Sequence, residues 1–304
     1  MPDEWPLVPI SSISADNIYP TNESQDLQKL FTKAVQYLAT VMTAPLTKQP
    51  ELKERIYDEI DDVLIRAIYG SNKIEHAIFA GANEIQIRAL EFNNNMKAYY
   101  EVISYAGAYY YIMDEFVIKG RHLNEDLIEE THEILVTNVS LIEEGFPVLQ
   151  PSEYGGVYRT VVVGAGTTNF SVPRFIPNHM ANMCENLKLD LVRAELMGEV
   201  DPLSIAAKYS LQFVRIHPFR DGNGRMCRIL LNAILCRYAG IVVPIGEEVD
   251  EREEYMAIKR RSTKQMEMDG HMHGEYATFV LRKSVTRLRE MKKKLRVGAW
   301  LKQV

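Results

Sequence analysis

Residues 214–228 have the sequence VRIHPFRDGNGRMCR, which predicts two helices joined by a short glycine-rich loop. Because proline disfavours helical geometry at the residue before it, Pro218 ends the first helix and leaves the His217 imidazole at a junction between helix and loop. The Asp-Gly-Asn-Gly sequence at 221–224 is typical of a tight turn. Apolar residues then recur at helical spacing, so a second helix begins at the glycines with its unbonded N–H groups facing the loop. Phe219 is interpreted as a core anchor for this loop.

The loop combines residue types that suit phosphate binding beside a general base. Gly222 and Gly224 let the backbone approach a ligand closely, and the N–H groups at a helix start attract anions. Arg225 and Arg228 share one helical face and can clamp a polyphosphate, while Asp221 offers an oxygen ligand for Mg²⁺. Each residue type alone is commonly structural, as a helix stop, a turn former or a surface arginine. Their convergence favours a phosphate site.

Helical periodicity dominates the rest of the sequence, and we predict an all-α fold with one short β-hairpin. The hairpin is predicted between Tyr158 and Pro173, where the β-branched run Thr160–Val163 meets two glycines. No repeat or long linker divides the chain. The predicted helices cover about Gln25–Met42, Glu51–Tyr69, Glu84–Ile118, Glu125–Val136, Asn178–Leu196, Leu203–Ile216, Asn223–Tyr238, Asp250–Met268 and Glu275–Arg296.

The hairpin segment also resembles the start of a dinucleotide-binding fingerprint. Residues 161–169 read VVVGAGTTN, a β-branched run followed by Gly-x-Gly. Asn169 stands where that fingerprint has its third glycine. The next residues, Phe-Ser-Val-Pro at 170–173, cannot open the helix whose N-terminus would receive a pyrophosphate. The segment therefore argues against a nicotinamide or flavin cofactor.

Composition and charge favour a globular protein, since 46% of its 304 residues are hydrophobic and 25% are charged. The net charge of -6 gives no electrostatic reason to expect a nucleic acid or an anionic membrane as a partner. We expect neither secretion nor a membrane span, because the chain has no apolar run of about 18 residues and no basic-then-apolar leader. A basic run near the C-terminus is interpreted as the solvated last turns of a helix: Arg289, Lys292, Lys293, Lys294 and Arg296.

The cysteines form neither a disulfide framework nor a zinc pattern. Their number is odd, and their spacing is not that of metal ligands. A reducing, cytoplasmic setting is therefore expected. The three cysteines are Cys184, Cys227 and Cys236.

The segment HPFRDGNGRMCR, residues 217–228, resembles the signature of the Fic (Fic/Doc) family. That signature is His-Pro-Phe-x-Asp/Glu-Gly-Asn-Gly-Arg-x-x-Arg, and every specified position is filled. Flanking similarity to the family's core extends over roughly residues 60–285. The resemblance implies an all-helical core with one β-hairpin flap. It also implies three regions: an N-terminal helical extension at 1–60, a Fic core at 61–285 with an inhibitory helix at about 61–76, and a C-terminal helical tail at 286–304.

The resemblance implies an enzyme, a protein adenylyltransferase that moves AMP from ATP to a Tyr, Thr or Ser hydroxyl of a target protein or of itself. His217 would take the hydroxyl proton while the oxygen attacks the α-phosphate and pyrophosphate leaves. Asp221 would hold Mg²⁺, Asn223 would line an anion hole with neighbouring amides, and two arginines would hold the β- and γ-phosphates. The residues implied to bind the nucleotide are Asp221, Gly222, Asn223, Gly224, Arg225, Arg228 and Tyr255.

Two further roles follow from the same resemblance. The flap, near Gly164–Phe170, would hold the target segment as an added strand, through positions that include Gly164, Thr167 and Thr168. Tyr255 lies where relatives place an aromatic residue near the adenine. The segment after it lacks the Ala-Asn pair that is often found there. The sequence therefore supports a preference for adenine less strongly than it supports phosphate binding.

Residues 70–76, GSNKIEH, resemble the family's inhibitory motif Ser/Thr-x-x-x-Glu-Gly/Asn through Ser71 and Glu75. His76 stands where glycine or asparagine is usual. In the subclass that carries this motif before the core, the glutamate pairs with the second arginine of the signature, here Arg228, and keeps the γ-phosphate from binding productively. We therefore expect auto-inhibition by Glu75 and a rise in self-modification on Glu75→Gly.

Other interpretations stay open at this point. The same scaffold could transfer a different phosphate-containing group, or remove AMP with the same histidine and a water aligned by Glu75. A non-catalytic nucleotide-binding module is a third alternative, against which the intact His217, Asp221 and two arginines argue. The sequence names no target protein, and a homo-oligomer is compatible with it.

Overall fold

Helices form nearly all of the regular structure in the computed structural model of this protein, which confirms the predicted all-α class. The structure describes residues 29–30, 32–37, 50–76, 84–142, 147–165, 168–198, 200–247, 249–269 and 273–300. A π-helical turn at Met113–Ile118 continues the second long helix. The helices are α1 (Pro50–His76), α2 (Glu84–Ile112), α3 (Glu125–Leu135), the one-turn α4 (Pro151–Tyr154), α5 (Ile176–Met197), α6 (Pro202–Ile216), α7 (Asn223–Ala239), α8 (Val249–Asp269) and α9 (Gly274–Trp300).

Helix α7 lies at the centre of the fold. Every residue from Arg225 to Ala239 is buried, as is typical of a helix surrounded by others. Helix α6 packs along it, and α1, α2 and the π-helical turn also contact it. Helices α5 and α9 pack against α6 in turn, and α3 packs against α2. The loop between α6 and α7 therefore starts and ends on well-supported helices.

One hydrophobic core runs through the described chain. Ala34, Ile60, Leu288 and Met291 belong to the same cluster as the buried side chains of α7. The boundary expected at residue 60 falls inside α1, and the one expected at 285 falls inside α9. The described residues therefore show no structural break at either position.

The predicted helices agree with the structure in kind and differ mainly at their ends. The helix predicted at Glu51–Tyr69 continues to His76, so it includes the whole GSNKIEH segment. The helix predicted at Glu84–Ile118 is present, with a π-helical last turn. Helix α4 is absent from the prediction because four residues are too few to show periodicity. The helix predicted at Gln25–Met42 lies partly outside the described residues, and its described part is helical.

The predicted hairpin is present but much shorter than its sequence suggests. Strand β1 (Gly164–Ala165) pairs antiparallel with β2 (Thr168–Asn169). The β-branched run Thr160–Val163 lies outside both strands, which corrects the prediction, and Val162 is 81% exposed. A β-branched residue favours a strand only where another strand packs and pairs with it. No described strand pairs with this run.

Ion pairs hold the first half of α1 against α9. The buried Glu59 carboxylate accepts hydrogen bonds from Arg287 and, at 2.5 Å, from Lys294. Burial would raise the pKa of Glu59, but the hydrogen bonds from Lys294 and Arg287 outweigh it and hold that pKa below its usual value. Lys294 belongs to the basic run of the sequence, so part of that run contacts the protein itself.

The second half of α1 packs against the connection between α7 and α8. Arg66 donates to both oxygens of Glu247, with N–O distances of 2.6 and 3.0 Å. Gly70 approaches this connection so closely that a Cβ there would lie 2.8 Å from the carbonyl oxygen of Ile245. Arg252 Nε, on α8, donates to the carbonyl of Ile74 at 3.1 Å. Helix α1 is thus fixed along its length by residues from the last third of the chain.

The three cysteines all lie in described helices, one in α5 and two in α7. Cys184, Cys227 and Cys236 are all buried free thiols. Cys227 donates a hydrogen bond to the carbonyl of Ser210, with an S–O distance of 3.2 Å. Among the described helices, none is both long enough and apolar enough to cross a bilayer.

We expect Gly246→Ala to destabilise the protein by roughly 2 to 4 kcal/mol. Gly246 has a φ of 93°, and a Cβ there would lie 2.5 Å from both the carbonyl oxygen of Gly70 and the side chain of Ile74. Urea unfolding measures the change. The matched control is Gly164→Ala, because a Cβ at Gly164 meets no atom within 4 Å. Equal unfolding midpoints for both variants would contradict this account of α1 packing.

Candidate active site

The junction predicted at His217 is a left-handed turn. Helix α6 ends at Ile216, and His217 has φ 54° and ψ 59°. A non-glycine residue in this region costs about 1–2 kcal/mol, so surrounding contacts must maintain it. The His217 N–H still donates to the carbonyl of Phe213 at 2.9 Å, which closes the helix. The following Pro218 prevents the helix from continuing.

The imidazole of His217 is oriented as a proton acceptor. Its Nδ1 lies 3.2 Å from the carbonyl oxygen of Val214, which can only accept, so Nδ1 carries the proton and Nε2 keeps its lone pair. Burial lowers the pKa of His217 to about 4, and the cations of Lys259 and Arg159 act in the same direction. Phe170 stacks on the ring with centroids 3.8 Å apart. At neutral pH the ring is therefore neutral and able to take a proton.

Two residues of the loop serve its shape. Gly222 has a φ of 77°, and a Cβ there would lie 3.1 Å from Leu135 and 3.3 Å from His132. The position therefore requires glycine. The Asn223 side chain folds back on the loop, where it accepts from the Phe219 N–H at 3.0 Å and donates to the Phe219 carbonyl at 2.8 Å. Phe219 is fully buried, which confirms its prediction as the core anchor.

The loop brings two buried arginines to the start of α7. Arg225 is 5% exposed and Arg228 is 2% exposed. Arg225 donates to the Asp221 carboxylate at 2.8 Å, while the Asp221 side chain is 43% exposed. Arg228 Nε donates to the hydroxyl of Ser71, on α1, at 2.6 Å. Because burying a guanidinium is costly, two of them at the start of the helix that follows the His217 loop are an arrangement suited to an anionic ligand.

The sequence that forms this site also matches a known family. The model of the Fic/DOC family matches residues 122–235. Residues 122–235 form a domain of the Fic/DOC family. The matched residues run from just before α3 to the second half of α7 and include the hairpin and the whole loop.

Two named relatives and one solved structure are similar to this chain. Protein adenylyltransferase fic-1 of Caenorhabditis briggsae is 34% identical over 143 residues, which are 45% of this chain and 26% of that protein. A Fido domain-containing protein of Dictyostelium discoideum is 40% identical over 97 residues, 32% of this chain and 65% of that protein. This chain thus spans about a quarter of the length of the C. briggsae protein. The crystal structure of a Fic domain containing signaling protein from Bacteroides thetaiotaomicron has the same fold, with a TM-score of 0.62, 22% identity and coverage of 90% of this chain and 97% of that one.

The upstream motif lies against the second arginine of the Fic loop. Ser71 is fully buried and accepts the hydrogen bond from Arg228, across 157 residues of sequence. Glu75 lies one helical turn later on α1, and its side chain is outside the described part of the structure. Helix α1 therefore brings the motif predicted at 70–76 to the signature loop.

The flap of the Fic domain lies beside the catalytic candidate. Gly164 and Thr168 are in the paired strands, opposite Asn169 and Ala165 respectively. Thr167 lies outside the described residues. The stacking of Phe170 on the His217 ring brings the end of the hairpin to the imidazole.

The structure places Tyr255 in the core, which corrects its expected position near an adenine. Tyr255 is fully buried, and its ring packs against Tyr276 and Phe279 with centroid distances of 6.1 and 6.0 Å. Lys259 Nζ lies 5.0 Å from the centroid of the same ring. A side chain with no exposed surface cannot contact a nucleotide in this conformation.

Sequence reasoning missed His132, a buried residue of α3 that supports the Fic loop. Its Nδ1 accepts from the Gly156 N–H at 2.9 Å, so its Nε2 carries the proton and donates to the Asp221 carbonyl at 3.0 Å. Its ring stacks on Phe219 with centroids 3.7 Å apart. Burial lowers the pKa of His132 to about 4. A lone histidine on a helix is the only signal that the sequence offers for this role.

Arg159 is the second supporting residue that sequence reasoning missed. It is 5% exposed, and its Nε donates to the carbonyl of His217 at 2.7 Å. An arginine between a tyrosine and a β-branched run has no recognisable signature by itself. Its contact to the His217 backbone appears only in the folded structure.

We expect acid to destabilise the protein through His132 and His217. An unfolded histidine has a pKa of about 6.5, whereas both folded residues have a pKa of about 4. Between these values the unfolded chain binds protons that the folded chain does not, so stability is complete above about pH 6.5 and falls as the pH drops. The loss by pH 4 is on the order of 3 kcal/mol for each histidine. Urea unfolding at a series of pH values measures it.

His132→Asn is the matched variant, because an amide can also accept from Gly156 and donate to Asp221 but does not titrate. Between pH 6.5 and 4, unfolding of this variant should take up one proton fewer than unfolding of the wild type. Its free energy of unfolding should therefore depend less on pH. Imidazole NMR spectra that show a charged His132 in the folded protein at pH 6 would be incompatible with this assignment.

Proposed function

We propose that this Fic domain is a protein adenylyltransferase with His217 as its general base. The proposal is carried by the neutral His217 imidazole, whose Nε2 can accept a proton at the start of a loop that leads to two buried arginines. Relatives that are named protein adenylyltransferases support the same activity. The acceptor would be a Tyr, Thr or Ser hydroxyl of another protein or of this chain.

In the proposed step, His217 Nε2 takes the hydroxyl proton as the hydroxyl oxygen bonds to the α-phosphorus of ATP. The bond from that phosphorus to the bridging oxygen breaks, and pyrophosphate leaves with the electron pair. Arg225 and Arg228 would hold the β- and γ-phosphates through charge-assisted hydrogen bonds. The N–H groups at the start of α7 would add to the anion site.

A magnesium ion carried by ATP fits this loop through Asp221. One oxygen of the Asp221 carboxylate accepts from Arg225, and the side chain is 43% exposed at the loop. The described residues contain no group of three or more side chains that would form an all-protein metal site. Magnesium commonly binds one or two carboxylates together with the phosphates of its nucleotide. The ion would neutralise phosphate charge when bound.

We further propose that α1 inhibits the enzyme. Arg228 Nε donates to the Ser71 hydroxyl at 2.6 Å, and both residues are buried. An arginine that is held by α1 is less available to a γ-phosphate. Glu75 is four residues after Ser71 and so shares its helix face, from which its carboxylate would pair with the same guanidinium. Nucleotide would bind productively once this face of α1 is displaced or changed.

The hairpin suits a target segment that adds as a strand. Its two strands contain only two residues each, and Gly164 is exposed. Main-chain hydrogen bonds to such an edge would hold the target backbone while its hydroxyl reaches His217.

Because the three cysteines are free thiols, we also propose a reducing compartment, the cytoplasm.

Intact mass measurement after incubation with ATP and Mg²⁺ tests the activity. We expect little self-modification of the wild type, a gain of whole AMP units on Glu75→Gly, and no gain on a variant that combines Glu75→Gly with His217→Ala. The reason is that Glu75 would no longer engage Arg228, whereas the base would be lost in the double variant. Mass gain identifies the transferred group, so other phosphate-containing donors can be compared in the same experiment.

The control for the activity test is nucleotide binding by calorimetry, because the His217→Ala change should leave the arginines in place. A Glu75→Gly variant that binds ATP but never gains AMP would reject adenylyl transfer. A mass gain that persists without His217 would reject the assigned base.

Ser71→Ala should also raise self-modification, by about 10- to 150-fold, because a hydrogen bond to a charged group contributes about 1.5–3 kcal/mol. The variant removes the hydroxyl that accepts from Arg228 and leaves the backbone of α1 unchanged. Labelling with radioactive ATP compares the initial rates. The control is Ser104→Ala, which removes a buried hydroxyl that donates instead to the carbonyl of Thr137 at 2.6 Å. Equal rates for Ser71→Ala and wild type would show that this contact does not inhibit.

A further inference from the structure

Arg159 connects the turn at His217 to both arms of the hairpin. Its Nε donates to the His217 carbonyl at 2.7 Å, and its own backbone N–H donates to the Pro218 carbonyl at 2.8 Å. Its Nη1 donates to the carbonyl of Val161, before β1, at 2.7 Å, and its Nη2 to the carbonyl of Ser171, after β2, at 2.6 Å. One side chain therefore joins the catalytic candidate to the two ends of the flap.

The nature of these partners points to a positioning role. All the acceptors of the Arg159 guanidinium among the described residues are main-chain carbonyls. Arg159 is 5% exposed, and burial lowers its pKa. No carboxylate among the described residues pairs with Arg159. Burial of a cation without a carboxylate partner is costly, so packing alone does not explain why an arginine occupies this position. The rigid fork of a guanidinium can donate in several directions at once, which an ammonium on a flexible stem cannot match.

The carbonyl that Arg159 holds belongs to the strained residue. His217 keeps φ 54° although it is not glycine, and the Nδ1 contact to Val214 depends on that backbone. The hydrogen bonds from Arg159 to the carbonyls of His217 and Pro218 fix the peptide planes on the loop side of the turn. Phe170 is stacked on the imidazole and precedes Ser171, whose carbonyl Arg159 also holds.

We propose that Arg159 is a positioning residue for adenylyl transfer, which sets the His217 turn and holds the hairpin at a fixed place relative to the imidazole. The inference rests on the proposed function of the domain. Arg159 touches neither nucleotide nor target in this account. It acts by keeping His217 Nε2 and the target-binding hairpin in register, so that an acceptor hydroxyl held by the hairpin lies within reach of the base.

Two variants in the Glu75→Gly background test this role. Arg159→Lys keeps a buried cation that can reach the His217 carbonyl or the hairpin carbonyls, but not all of them together. Arg159→Met removes every donor of the guanidinium. The control is Arg174→Met, which removes an exposed arginine that lies over the Phe175 ring beside the same hairpin. All variants are compared at a temperature at which circular dichroism shows them folded.

Three readouts separate positioning from a general loss of structure. The first is the rate of self-modification at saturating ATP, which we expect to fall about 10- to 100-fold in Arg159→Lys, since a misplacement of about 1 Å can cost 10²-fold. The second is the KM for ATP, which should change less than about twofold because the phosphate-binding groups lie on the loop and α7. The third is the ¹⁵N NMR spectrum of His217, in which the Nδ1–H tautomer should give way to a mixture of tautomers. Arg159→Met should show the same changes more strongly, and Arg174→Met should show none.

The outcomes distinguish this inference from the proposed function. If Glu75→Gly transfers AMP and folded Arg159→Lys shows the same rate and the same His217 tautomer, Arg159 is not a positioning residue. A rate that falls only in proportion to the folded fraction, with an unchanged tautomer, overturns the inference as well. If Glu75→Gly itself never gains AMP, the proposed function fails, and the tautomer of His217 in Arg159→Lys still decides whether Arg159 sets the turn.

Discussion

The left-handed backbone of His217 is the constraint on which the candidate site depends. It ends α6, directs Nδ1 at the Val214 carbonyl and starts the loop that returns to α7. At the other end of the loop Gly222 is also left-handed, and the next residue, Asn223, is hydrogen-bonded to the backbone of Phe219, which lies between the two turns. The site therefore has a defined shape before any ligand arrives, as electrostatic preorganisation requires.

A second layer of buried groups maintains that shape. His132 fixes the backbone of Asp221 and stacks on Phe219, while Arg159 fixes the backbone of His217. Both act on carbonyl groups of the loop and leave its side chains available for chemistry. Mutations of these supporting residues would thus move the functional groups without removing them.

Much of the site could be predicted because its information lies in consecutive residues. The His217–Pro218 helix stop, the glycine turn and the paired arginines of α7 need no knowledge of the rest of the fold. The supporting residues could not be found in this way, because His132 and Asp221 are 89 residues apart and Arg159 and His217 are 58 apart. The extent of the hairpin and the location of Tyr255 were predicted wrongly for a related reason: the pairing of a strand and the burial of an aromatic ring depend on which elements pack beside them. For Tyr255 these are the aromatic residues of α9.

The attachment of α1 has a consequence for the proposed inhibition. Contacts at Glu59, Arg66, Gly70, Ser71 and Ile74 are distributed along one continuous helix, and they reach α7, α8, α9 and the segment that joins α7 to α8. A helix that is held by so many contacts does not dissociate in small steps, because the loss of one contact leaves the others in place. Release would then behave as a threshold event, in which weak binders have almost no effect and a partner strong enough to break several contacts together switches the whole population.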